Sequence, residues 1–216
     1  MCWSATADVV AGVGVCAVGV ACVARVRRGA ELPLAALPLL LGVHQFVEAA
    51  VWASDGGRGP ATVVWAVIAL PLLAVWVPSG TVCAAPPRAR RRLLVPLAVG
   101  VVTAAVLGYA LATGTVTAEI RGHTVGYAVG LSHPALLVAG YLSATVGALL
   151  LSGDRWLVGL GGLLAVGAAG CWALWRLEFV STWCAVAAVC SVVLYGWARE
   201  RSAMAGTRAG REALRG

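Results

Sequence analysis

Seven apolar segments, each about as long as a bilayer is thick, leave this chain little choice of fold. They run over 5–25, 33–53, 62–82, 93–113, 134–152, 156–175 and 178–197, and about 20 apolar residues of helix cross the roughly 30 Å hydrocarbon core of a membrane. Hydrophobic residues make up 61% of the 216 and charged residues 12%, against about 45–50% apolar and about 25% charged in a soluble domain. Backbone N–H and C=O groups in lipid must pair within their own segment, so each run reads as helix. The expected fold is all-α, an integral membrane bundle of seven transmembrane helices over 1–198 followed by an arginine-rich tail over 199–216. The spans consume the length, so function is expected inside the bundle or at its rim.

Every one of the 16 basic residues is arginine. Without lysine there is no side-chain primary amine for a Schiff base, which excludes retinal and pyridoxal phosphate chemistry. The arginines fall between apolar runs and form no basic-aromatic stripe, which argues against a nucleic-acid partner and leaves the lipid bilayer as the surrounding one. With seven spans, thirteen of the sixteen lie on one side: Arg25, Arg27, Arg28, Arg88, Arg90, Arg91, Arg92, Arg155, and the five of the tail. Arg58, Arg121 and Arg176 face the other. By the bias of arginine toward the cytoplasm, the N-terminus is expected outside and the tail inside. The first run lacks a preceding basic stretch, so it reads as a retained span and not as a cleaved signal peptide. The tail is read as a frayed end over anionic lipid and is assigned no chemistry.

Glycines recur in the first span (Gly12, Gly14, Gly19) and the sixth (Gly159, Gly161, Gly162, Gly167, Gly170). They are expected to form helix contact faces, since packing replaces the hydrophobic drive in lipid.

Ionisable groups inside a span are costly and need a partner or a purpose. They gather in the outer half: Asp8, His44, Glu48, His133, the loop residues Glu119, Arg121 and His123, and Arg176 and Glu178 at the last outer turn. The cytoplasmic rim reads as little more than arginine. The sharpest pattern is His44-Gln45-Phe46-Val47-Glu48, with Trp52 one turn on. Spacing of four places imidazole and carboxylate on one helix face. Three readings stay open there: an ion pair that fixes helix register, a metal site, and acid–base chemistry without metal. Zinc or copper are the candidate metals, with His44, Glu48, Cys2, His123, His133 and Cys184 as candidate ligands. Zinc needs at least a third donor and usually a fourth. Glu48, His44 and Asp8 are the candidate catalytic residues. Seven cysteines without a C-x-x-C exclude dithiol redox chemistry of the usual spacing. Cys16, Cys22, Cys171 and Cys190 read as small apolar fillers, Cys83 as a thiol on the reducing side, and Cys2 and Cys184 as an outer pair able to ligate metal or form a disulfide. The longest connection, Gly114 to His133, is expected to be functional.

Met1-Cys2-Trp3-Ser4-Ala5, Glu31-Leu32-Pro33-Leu34-Ala35, His44-Gln45-Phe46-Val47-Glu48, Arg121-Gly122-His123-Thr124 and Ser181-Thr182-Trp183-Cys184 resemble an uncharacterised family of bacterial multi-pass membrane proteins that begin Met-Cys-aromatic-Ser-Ala. The resemblance spans nearly the whole chain and implies a bacterial cell-membrane location without implying an activity. Ser4, Asp8 and three histidines invite comparison with membrane zinc hydrolases related to ceramidases, but His-x-x-x-His is missing. In size, span count and an acidic residue followed by an aromatic in the second span, the chain also resembles small membrane-bound terpene cyclases. That likeness implies Glu48 as a general acid toward an isoprenoid. The functional expectation is an outer-half His/Glu/Cys site, metal-binding and acting on a lipidic substrate. The alternatives are a metal-free isoprenoid cyclase and a non-catalytic structural or transport protein.

Overall fold

The computed structural model describes residues 4–174 and 179–213. Helix α1 (Ala5–Val23) begins where the Ser4 hydroxyl accepts from the Ala7 N–H at 3.2 Å, an N-cap that satisfies one of the helix's open donors. Its buried residues, Asp8, Gly12, Val15, Gly19 and Cys22, recur every three or four positions and form one narrow stripe. After a short turn, α2 (Leu32–Ala35) and α3 (Leu37–Ala53) complete the second apolar segment. The α1 stripe lies antiparallel on α3 at very short range. A Cβ on Gly19 would sit 2.6 Å from the Leu39 backbone nitrogen, and one on Gly42 would sit 2.8 Å from that of Cys16. Gly12 faces the Phe46 ring in the same way.

The third segment is α4 (Pro60–Val67), a wide turn over Ile68–Leu72, and α5 (Leu73–Ala84). In that turn the Leu73 N–H reaches back five residues to the Ile68 carbonyl. The Ala69 carbonyl thereby loses its ordinary helical donor, and the Tyr141 hydroxyl donates to it instead at 2.7 Å. Then come α6 (Pro87–Thr113), α7 (Pro134–Leu150), α8 (Arg155–Leu174), α9 (Phe179–Cys190) and α10 (Val192–Ala213). Among the described residues six helical stretches are long and apolar enough to cross a membrane: Ala5–Val23, Gly29–Ala53, Pro60–Ala84, Pro87–Thr113, Arg155–Leu174 and Thr182–Thr207. Pro134–Leu150 is a seventh apolar helix, shorter at 17 residues. Val10, Val13, Val95, Val102 and Val166 are exposed on the outside of the bundle, as expected of surfaces that face lipid chains.

The all-α expectation fails at one place. The connection after α6 folds as a hairpin of β1 (Val116–Arg121) and β2 (Thr124–Val129), antiparallel, in register from Val116↔Val129 to Arg121↔Thr124. Two-residue periodicity and β-branched side chains favour strand there. Gly122, at φ +61°, supplies the left-handed backbone of the turn. A lone hairpin is marginal in water, and this one is anchored. Gly57 and Ala118 exchange backbone hydrogen bonds of 2.8 and 2.9 Å. Val116, Ala118 and Val125 are buried against Val51, Trp65 and Cys184.

Two further expectations need correcting. Of the glycines read as contact faces, Gly12, Gly19, Gly161 and Gly167 meet a neighbour, whereas Gly14, Gly159, Gly162 and Gly170 have open space around them. Only those on the inward side of their helix can serve close packing. The arginine-rich rim is also not arginine alone. Glu31, with 4% of its side chain exposed, pairs with Arg201 at 3.7 Å, and Arg201 pairs with Asp154 at 2.8 Å. Glu200 accepts from Arg155 at 2.9 Å and from the Trp156 indole. These pairs bind α10 to the two loops beside it, and α10 continues without a break through position 199 to Ala213. Cys22 and Cys171 are buried in the apolar core and Cys190 packs on it, as fillers should, while Cys83 is exposed.

Contact at the glycine positions makes α1–α3 packing sensitive to volume. Gly42→Val should lower the thermal stability of the purified protein by about 1–3 kcal/mol through overpacking, while Gly14→Val on the open face should change it by less than about 0.5 kcal/mol, both read from unfolding followed by circular dichroism.

Candidate functional site

Helix α3 presents His44, Gln45 and Glu48 within a little over one turn, and all three are completely buried. Spacing of one and four positions keeps them on the inward side, which also carries Leu41 and Val51. Opposite them, α4 places Trp65, also at 0% exposure. Its indole Nε1–H donates to Glu48 Oε2 at 3.2 Å, and its ring lies 5.1 Å from the His44 imidazole, tilted by 35°. The ring of Tyr127, from β2, stacks on Trp65 with 3.4 Å between centroids and 4° between planes. The hairpin therefore closes the site by laying an aromatic side chain on the residue that holds the carboxylate.

Two more candidates converge on this layer. Cys184 on α9 is buried in the same cluster as Val51 and Trp65 and lies within electrostatic range of Glu48. Asp8 is buried on the α1 stripe that faces α3. The antiparallel match of Gly19 with Leu39 and Gly12 with Phe46, continued one turn, places it level with Ala49 and Ala50, within about 3 Å of Glu48 along the helix axis. Neither ring nitrogen of His44 nor either polar atom of the Gln45 amide has a hydrogen-bond partner among the described residues. Buried polar groups are nearly always satisfied, so an open imidazole and an open amide side by side need an explanation.

The structure does not bring the other histidines to this point. His123 is exposed at the hairpin turn, beside an Arg121–Glu119 ion pair of 2.6 Å, and His133 is exposed at the start of α7. Among the described residues no group of three or more His, Cys, Asp and Glu is placed to hold a metal ion. Cys2, Arg176 and Glu178 lie outside the described residues, as does the Cys2 half of the proposed outer thiol pair.

Sequence reasoning offered Cys2, Asp8, His123, His133 and Cys184 as companions of His44 and Glu48 and missed Trp65, which no pattern of spacing distinguishes from an aromatic at the membrane interface. Tyr127 was visible only to a reader who had recognised the strand that carries it. Gln45 stood inside the quoted motif without a role.

The carboxylate is fixed by an indole donor, the imidazole has both nitrogens open, and the surroundings are fully buried and aromatic. Such a set can move a proton or grip a small polar group, and with further donors it could ligate a metal. The site and fold together define an apolar helical bundle, with spans long enough for a membrane and a sealed His/Glu pair in one half. The chain matches a family of unknown function, DUF6629, over residues 1–209, and it belongs to that family. This agrees with the resemblance to an uncharacterised family. No curated protein and no solved structure matches the chain.

Trp65 joins the carboxylate to the hairpin, and the two halves of that role are separable. Trp65→Phe keeps a ring under Tyr127 but removes the donor, and should cost about 1–3 kcal/mol in thermal unfolding. Tyr127→Ala leaves the donor and removes the stack, worth about 0.5–1.5 kcal/mol beyond the area buried. The second variant alone should speed tryptic cleavage after Arg121, followed by mass spectrometry.

Proposed function

We propose that this chain is a seven-span protein of a bacterial cell membrane, N-terminus outside and tail cytoplasmic, whose outer-half site performs acid–base chemistry on the polar end of a lipidic molecule. Glu48 is the acid or base, His44 its proton partner, and Asp8 a charged neighbour in the same layer. The observation that carries this reading is the complete burial of His44, Gln45 and Glu48 with the imidazole and amide left open. A pair kept only for helix register would gain from closing those hydrogen bonds, and leaving them open costs stability. An isoprenoid suits walls made of Trp65, Tyr127 and aliphatic side chains. The orientation rests on the thirteen-to-three division of arginine.

A reporter fused after residue 216 should read cytoplasmic and one inserted at Gly122 should read external. The reverse result would place the Glu48 layer in the inner half.

For the chemistry, membranes containing the protein are incubated with a lipid extract of the bacterium that encodes it, and products are compared by mass spectrometry. A product made by the native chain should fall by about 10²–10⁴-fold in Glu48→Gln and in His44→Ala. Extracts unchanged by the native protein would make the polar layer a structural or transport feature.

A metal-bearing form of the same site is favoured by one observation, the open nitrogens of His44 one helical turn from Glu48. Zinc or copper there would draw a further donor from Cys2, and the metal would activate water or hold the substrate. Elemental analysis of the same preparations decides it. One zinc or copper per chain, lost in His44→Ala, supports this form, and metal-free active protein excludes it.

A further inference from the structure

A groove of about 730 Å³ runs between α6 and α7. Val99, Val102, Val106 and Leu136 make its walls apolar, and Thr113, Ser132 and His133 gather at one end. From Val99 to Thr113 the helix rises about 21 Å, somewhat more than the roughly 15 Å of one leaflet's hydrocarbon. In a chain with 16 arginines and 9 acidic residues, no charged residue lines this groove. Its volume is that of a site for one small ligand.

The groove does not end at the bundle surface. Leu131 and Leu137 line it and also line an inner void of about 70 Å³. Tyr141 and Trp183 in turn belong both to that void and to another of about 40 Å³, which reaches Cys184. Cys184 packs in the layer of Trp65, and Trp65 holds Glu48. Adjacent spaces, parted by the shared side chains of Leu131, Leu137, Tyr141 and Trp183, therefore line up from the lipid-facing side of α6 and α7 to the flank of the buried site. Voids of this size hold a group no larger than one or two waters, each about 30 Å³ in the liquid.

We infer that the groove between α6 and α7 is the lateral entrance to the Glu48 site, binding a single-chain lipid with a small, uncharged, hydrogen-bonding head of the long-chain alcohol class. The apolar chain lies along Val99, Val102 and Val106 while the head passes between Leu131 and Leu137 toward Trp183 and Cys184. The absence of charge on the walls selects against an ionic head, and the small inner voids select against a bulky one. The destination of the head rests on the reading of the Glu48 site given above, whereas the groove itself does not.

The test uses the full chain in phosphatidylcholine nanodiscs and two long-chain alcohols bearing a diazirine, one at the chain terminus and one beside the hydroxyl. On irradiation, the terminal probe should label the 98–110 and 136–140 segments and the head-proximal probe the peptide carrying Trp183 and Cys184. Excess unlabelled alcohol should reduce both at least tenfold, and the carboxylate of equal chain length should not. Val102→Trp with Leu136→Trp, both on the exposed side, should abolish both patterns. Leu131→Trp with Leu137→Trp should keep the first and lose the second. Uncompeted label spread over all lipid-facing helices overturns the groove, and competed groove label with none at Trp183 or Cys184 overturns the entrance. Both competed patterns in native protein that makes no product keep the groove and its entrance standing, so a Glu48 site without chemistry is distinguished from a groove without lipid.

Discussion

Everything in the His44–Glu48 layer of this molecule depends on Trp65. One edge of its indole donates to Glu48, and its ring borders His44 on α3 and stacks on Tyr127 of the hairpin. A carboxyl group at membrane depth is expensive without a donor, and the indole supplies one from a side chain that is otherwise hydrocarbon. The same residue thus permits an acidic group inside the bundle, ties the second segment to the third, and seats the loop that covers both. Without the stack, the two-stranded hairpin would rest on its bridge to Gly57 and on the apolar side chains of Val116, Ala118, Ile120, Val125 and Val129.

The bundle beneath this layer departs from regular helix where it must bring the layers together. The wide turn over Ile68–Leu72 shifts α5 relative to α4 and frees the Ala69 carbonyl. Tyr141, arriving from α7, satisfies it while its ring meets Trp183 edge-on at 5.5 Å. Irregular turns of this kind often mark functional regions. Here the turn leaves Tyr141 and Trp183 on the wall between the two inner voids. Strict α-helix through Pro71 would have returned Ala69 to its own helix and left the Tyr141 hydroxyl to find another acceptor.

The spans themselves were legible because lipid imposes a blunt requirement of length and apolarity that composition displays directly. His44 and Glu48 were legible because charge inside an apolar run is conspicuous and helical spacing puts the two on one face. The hairpin was hidden for the opposite reason: a search for stretches of about 20 apolar residues passes over six-residue strands with Thr, Glu and Arg among them. Trp65 was hidden because tryptophan is common near membrane interfaces and nothing local marks one as a hydrogen-bond donor to a carboxylate on another helix. The ion pairs of Glu31, Asp154 and Glu200 were missed because the three acids lie far apart in sequence and meet only when α10 packs beside both loops.

Those ion pairs make the two ends of the bundle physically unlike. At the arginine-rich end the buried acid Glu31 has a cationic neighbour on each side, Arg28 and Arg201, and α10 is bound to both adjoining loops. Its polar groups are spent on holding helices in place. At the other end the buried imidazole and amide are left open, and the cover over them is a hairpin seated by one stack, one bridge and its apolar side chains. Polar groups that serve only architecture tend to be satisfied, since each unsatisfied one subtracts from a stability of a few kcal/mol. Among the described residues the arginine-rich end leaves two donors open, Arg201 Nε and the Trp197 indole, whereas the His44–Glu48 layer leaves an imidazole and an amide that can accept as well as donate, and it is there that a polar group could be gripped from both sides.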